Sequence, residues 1–201
     1  MDTWTVTILL HYLLCASLVQ SAPVDLPSNL PPAFRETAVE AKTLSEKILK
    51  DISAAHTAAV TDFNLDSSSQ MSNLQMLAVS MGIPSSPVLK VLSEHFTLDM
   101  CVSRMLAGVQ MYQNLLEILS SRASGLEDLK ADLRDLLNHI NKLMEAQLGA
   151  DHSDQNPISD LDSHLQDSYS VQVAVHMTLT QLRSFCHDLN RTFRVLITYR
   201  P

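Results

Sequence analysis

Residues 98–144 read LDMCVSRMLAGVQMYQNLLEILSSRASGLEDLKADLRDLLNHINKLM, and the spacing of their apolar residues decides the fold. Leu98, Cys101, Met105, Val109, Tyr112, Leu116 and Leu119 recur at intervals of three and four. Leu126, Leu129, Leu133, Leu137, Ile140 and Met144 repeat the pattern. Each series is the buried stripe of an amphipathic helix. Only a few residues, around Arg122–Ser124, separate the two, so they are expected as antiparallel neighbours. Ser124 with Glu127 has the pattern of a capping box at the start of the later helix, and Gly149 follows its last turn.

Two more segments share this periodicity. Phe34, Ala41, Leu44, Ile48 and Ile52 mark a first helix, entered through Pro31-Pro32, where the ring's fixed φ suits a helix start. Val175, Leu179, Leu182, Cys186, Leu189, Phe193 and Leu196 mark a fourth, with Ser163 and Gln166 offering a capping box before it. Four Gly in the chain and few alternating β-branched runs favour helices over a sheet. The first connection, from about Thr57 to Val91, and the third, from about Gly149 to Ser163, are long. A helix of roughly 24 residues is about 36 Å long, and both connections can traverse that length. An up-up-down-down bundle with two crossovers is therefore permitted, although pattern alone also allows a long loop to fold back.

Val6–Val19 is almost wholly apolar, too short to span a bilayer comfortably, and is followed by Ser21 and Ala22. It reads as a secretory signal over residues 1–21, leaving a single domain over 22–201. Trp4 and Cys15 leave with it, so the mature chain carries only Cys101 and Cys186. Loss of Asp2 leaves 14 basic against 21 acidic residues, a net −7. About 180 residues suffice for one packed domain, and two cysteines mean that the core, not a disulfide framework, must hold it. The acidic balance argues against nucleic acid and anionic membranes as partners. No later apolar run reaches membrane-spanning length, so no membrane insertion is expected.

Particular residues carry a resemblance. Cys101-x6-Gly108-Val109-x2-Tyr112-x3-Leu116 resembles the signature of the interleukin-6, granulocyte colony-stimulating factor and myelomonocytic growth factor family. Met81-Gly82-Ile83-Pro84-Ser85-Ser86-Pro87 resembles that family's Leu-Gly-Ile-Pro-x-x-Pro stretch, at matching distance from Cys101. Leu30-Pro31-x-x-Phe34 and Arg194-Val195-Leu196 match its granulocyte colony-stimulating factor branch at either end of the domain. The resemblance implies an all-α, long-chain four-helix cytokine of up-up-down-down topology. It further implies a secreted growth factor, a monomer when free, that binds class I cytokine receptors, foremost the granulocyte colony-stimulating factor receptor. The expected outcome is proliferation, differentiation and survival of granulocyte-lineage cells. The family's partner for Cys101 is replaced by Val91, and 62–80 holds no cysteine, so neither family disulfide can form. A Cys101–Cys186 bridge stays open, but the two fall at different heights along antiparallel helices, which favours free thiols.

Val39 falls opposite the first helix's apolar stripe, flanked by Glu36, Glu40, Thr43 and Lys47. Asp128, Asp132 and Asp135 line one face of the third helix, continuing to His139 and Lys142. A charged stripe is by default a solvated face, and like charges at i,i+4 cost a helix a few tenths of a kcal/mol. The resemblance matches Glu40, Asp132 and Asp135 to acidic positions that engage the receptor's cytokine-binding module, with Val39 and His139 beside them. The family's second receptor surface aligns its acidic residue with Asn73, beside Leu74, leaving Asp66 as a substitute charge. Asn190-Arg191-Thr192 is an N-glycosylation sequon inside the fourth helix, where a used site is not the common outcome.

No G-x-x-x-x-G-K, H-E-x-x-H or C-x-x-C pattern occurs, so no catalytic residue, metal site or cofactor is expected. Asp151, His152, Asp154 and His164 have metal-ligand chemistry but read as solvated loop. The alternatives are an interleukin-6-like cytokine of the same fold and a secreted helical lipid carrier. The scarcity of Lys along the polar faces speaks against the carrier.

Overall fold

The structure is a computed structural model that describes residues 30–61, 71–90, 97–148 and 161–198. The expected secretory signal, Asp66, Val91, Gly149 and the Asp151–Asp154 cluster lie outside the described residues. The described residues from Pro31 onward belong to one compact unit.

Among the described residues six helices follow in order: α1 Pro32–Ala59, α2 Met71–Ser80, α3 Leu98–Ser120, α4 Glu127–Leu148, α5 Leu161–His164 and α6 Ser168–Thr198. No strand occurs among the described residues. The four long helices close a ring, with α1 packed on α4 and α6, and α3 on the same two. This is a four-helix-bundle arrangement. Contacts across the seams fix the relative directions. Lys47 meets Asp132 and Glu40 meets His139, so residue numbers fall along α1 as they rise along α4. Ser45 meets Asn190 and Ser53 meets Arg183, the same antiparallel sense between α1 and α6. Ser103 meets Met144 and Glu117 meets Lys130, so α3 and α4 are antiparallel too.

The expected stripes of α3 and the fourth long helix are buried at every position. Two others are shifted. On α4 Leu136 and Leu143 are buried where Leu137 is only half-buried, and on α1 Ala38, Ser45 and Ala55 are buried while Leu44 is half-buried. Each of these helices packs against two neighbours, so its buried sector is wider than a single i,i+3,i+4 row. Full burial of a large apolar side chain contributes about 1.5–3 kcal/mol. Phe34, Ile48, Ile52, Leu116 and Phe193 are among the residues that do so.

Both capping expectations are corrected. Glu127 accepts from the N–H of Gly125 at 3.0 Å, not from Ser124, because the chain turns through Gly125 at φ +84° and α4 opens only at Glu127. Ser163 lies within the short α5, and α6 is capped by Asp167, which accepts from both the N–H and the hydroxyl of Ser170 at 2.8 Å. These bonds hold the Asp167 carboxyl below its usual range. The first crossover is also not a bare loop. It carries α2, which buries Leu74 and Ala78 and packs on α6. Its end is closed by Gly82 at φ +78°, with Ile83 N–H donating to the Ala78 carbonyl at 3.0 Å. Six-to-one closure of this kind needs a residue in the left-handed region. Met81 and Ile83 are then buried, anchoring the stretch that carried part of the resemblance.

Candidate functional site: the seam of the first and third long helices

The antiparallel packing of α1 on α4 brings the sequence-predicted residues onto one seam. His139 Nδ1 lies 3.4 Å from Glu40 Oε2. Seven residues along each helix, Lys47 bonds Asp132 and reaches Asp51 at 3.2 Å. Asp135 sits one turn from Asp132 and one turn from His139, exposed between the two cross-links. Val39 is 46% exposed beside Glu40. So Glu40, Asp132, Asp135 and His139 lie along one seam, with Val39 exposed next to Glu40 in the sequence.

Their availability differs. The Asp132 side chain is only 14% exposed and its charge is met by Lys47. The same bond, ahead of the one to Asp51, raises the Lys47 ammonium above its ordinary range. The Glu40 side chain is 55% exposed. Glu40, Asp135 and Val39 are therefore the more exposed of these residues. Lys47 was legible only as a flanking charge; nothing in the helical spacing says which residue on another helix it will meet.

Elsewhere the residues singled out by sequence take other roles. Asn73 is exposed on α2 with Leu74 buried beneath it. Asn190 is buried, and its Oδ1 accepts from the Ser45 hydroxyl at 3.1 Å. Cys101 and Cys186 are free and buried. Burial pushes the first thiol up to about 11 and the second up to about 12, so neither has thiolate character at neutral pH. His164 is exposed, while His176 pairs with His56 across the α1–α6 seam, Nε2 of His56 lying 2.9 Å from Nδ1 of His176. Among the described residues no group of three His, Cys, Asp or Glu is placed to hold a metal ion. No described helix is long and apolar enough to cross a membrane.

No known family model matches the chain, and no curated protein matches it.

Proposed function

We propose that the chain is a secreted long-chain four-helix cytokine that acts by binding a class I cytokine receptor, not by catalysis. The observation that carries this reading is the α1–α4 seam. Antiparallel packing brings Glu40 to His139, one turn from exposed Asp135 on α4, with Val39 exposed next to Glu40 along α1. A partner's basic side chains would pair with the carboxylates, setting register and association rate, while the apolar atoms around Val39 contribute affinity. The helix directions support an up-up-down-down order: α1 is antiparallel to both α4 and α6, and α3 is antiparallel to α4. The resemblance supplies the granulocyte colony-stimulating factor receptor as the foremost partner, with release after residue 21 and action as a soluble monomer on granulocyte-lineage cells.

Binding of the 22–201 protein to a panel of class I cytokine-receptor ectodomains tests the proposal. Saturable binding to the granulocyte colony-stimulating factor receptor is expected. Binding to a related receptor instead moves the assignment within the family, and binding to none overturns it.

A further inference from the structure

The other flank of α1 carries a different chemistry. Lys42, Glu46, Lys50 and Ser53 follow one another by four, four and three residues, and so do Arg183, His187, Arg191 and Arg194 on α6. The two rows run antiparallel along one seam, joined by Arg183 to the Ser53 hydroxyl at 2.6 Å and by Arg194 to Glu46 at 3.9 Å. Between them opens a cleft of about 490 Å³ lined by Glu46, Leu49, His187, Asn190, Arg191 and Arg194.

Five fixed positive charges lie along this seam: Arg191 and Arg194 line the cleft itself, Lys42 and Lys50 stand beside Glu46, and Arg183 sits farther along at Ser53. Two carboxylates oppose them, Glu46 and Asp188, bonded at 2.7 Å to Lys42 and at 2.9 Å to Arg191. The balance is three positive charges on one seam of a chain whose net charge is −8. Glu46 is ringed by cations. The Lys42 hydrogen bond, with the charges of Lys42, Arg194 and Lys50 behind it, holds its carboxyl below the usual range. The Arg183 contact with Ser53 is to a neutral hydroxyl, which leaves its charge uncompensated by that bond. Arg191 and Arg194 are 72% and 70% exposed.

We propose that the α1–α6 cleft binds a sulfated polysaccharide chain of the glycosaminoglycan type. Each row spans twelve residues, about 16 Å of helix from end to end, which suits a linear polymer with anionic groups at each sugar better than a single anion. Among the described residues no Phe, Tyr or Trp lines the cleft, and one imidazole, His187, is a poor platform for the successive base stacking that single-stranded nucleic acid uses. A flat anionic bilayer does not reach into a cleft, and it would repel the acidic remainder of the chain. The cleft lies on the opposite flank of α1 from Glu40 and Lys47, so polysaccharide and receptor can be held together. The inference is independent of the receptor reading and would retain the protein at a cell or matrix surface.

The test is binding of the 22–201 protein to a heparin oligosaccharide at low and at physiological salt, beside a desulfated oligosaccharide and a single-stranded DNA of equal length. Binding to the sulfated probe that weakens with salt and exceeds both comparators is expected. The double substitution Arg191→Ser with Arg194→Ser should weaken it by roughly five-fold or more, since each cation contributes to the electrostatic attraction. Glu46→Gln should tighten it. Arg134→Ser with Lys142→Ser removes the same charge from α4 and should leave it nearly unchanged. Helical circular dichroism confirms that each variant is folded. Absence of binding to the sulfated probe, equal binding to DNA, or an equal loss in the α4 variant would each overturn the proposal.

Discussion

Gly108 on α3 and Phe185 on α6 are fitted against each other: a Cβ at position 108 would stand 2.2 Å from Cζ and 2.6 Å from Cε2 of the phenylalanine ring. The same ring tilts against Tyr112, one turn along α3, with centroids 5.3 Å apart. Phe185 and Tyr112 are both fully buried, so the ring has little room to retreat. The glycine is thus the price of close approach between α3 and α6, a contact that sits inside the stretch carrying the family resemblance.

Gly108→Ala should destabilise the protein. Alanine improves intrinsic helix propensity by about 1 kcal/mol. Overpacking a filled core costs about 1–3 kcal/mol, and the ring must also move, so a net loss of roughly 1–2 kcal/mol is expected. Shortening the obstacle should relieve it: Gly108→Ala combined with Phe185→Leu should cost clearly less than the two single changes together. Denaturant unfolding of the four proteins gives the coupling, and simple additivity would show that the ring is not what excludes the side chain.

What the sequence revealed follows from which interactions repeat along it. Helix existence, the α3–α4 turn and most core positions were legible because 3.6-residue periodicity is local. Leu136, Leu143 and Ala38 were missed because a helix with two neighbours buries more than one row. The helix α2 was missed because its ten residues bury only Leu74 and Ala78 and leave Met76 and Val79 exposed. That leaves too few repeats to register a period. Asp167 was passed over as a cap in favour of Ser163, since both spellings fit a helix start and only the position of α5 separates them. The exposed charges of α1 and α4 can be read along each helix, but the Lys47–Asp132 and His139–Glu40 pairings depend on register between helices, which no single helix encodes.

The two buried thiols predict a pH dependence. Unfolded, each loses its proton near pH 9; folded, Cys101 holds it to about 11 and Cys186 to about 12. Above pH 9 the unfolded chain therefore binds fewer protons than the native one, and stability falls as pH rises through that window. The slope is up to about 1.4 kcal/mol per pH unit for each thiol. Cys186→Ala should flatten the decline in thermal unfolding experiments between pH 9 and 12. At neutral pH, reductant should leave the melting temperature unchanged, and a large drop would reveal a Cys101–Cys186 bond.

Asn190 should carry no glycan. Its side chain is 6% exposed and engaged with Ser45, so an attached sugar would have to enter the packed α1–α6 seam. Treatment of the protein secreted from a eukaryotic host with an N-glycosidase should not change its mass. Asn190→Leu should alter stability through the Ser45 hydroxyl, which loses its buried acceptor, at a cost of about 1–3 kcal/mol. A mass shift on enzymatic treatment would mean that the sequon is modified before the helix packs.

The proposed receptor face makes the sharpest distinction among carboxylates that look alike in sequence. Glu40 and Asp135 are exposed, so Glu40→Lys and Asp135→Lys should shift stability by no more than about 0.5 kcal/mol. Each presents a cation where a basic partner expects an anion. Like-charge juxtaposition in an interface costs up to several kcal/mol, enough to weaken binding strongly. Asp132→Lys differs because it places a second ammonium against Lys47, whose charge Asp132 now meets. It should lower the melting temperature as well as affinity, and its effect on binding should shrink when Lys47→Glu restores an opposite pair. Glu117→Lys, across the bundle beside Lys130, should leave receptor binding nearly unchanged. Titration calorimetry on folded variants separates the cases. If Glu40→Lys and Asp135→Lys fold normally and bind the receptor with unaltered affinity, the α1–α4 seam is not the contact surface, even where the wild-type protein binds.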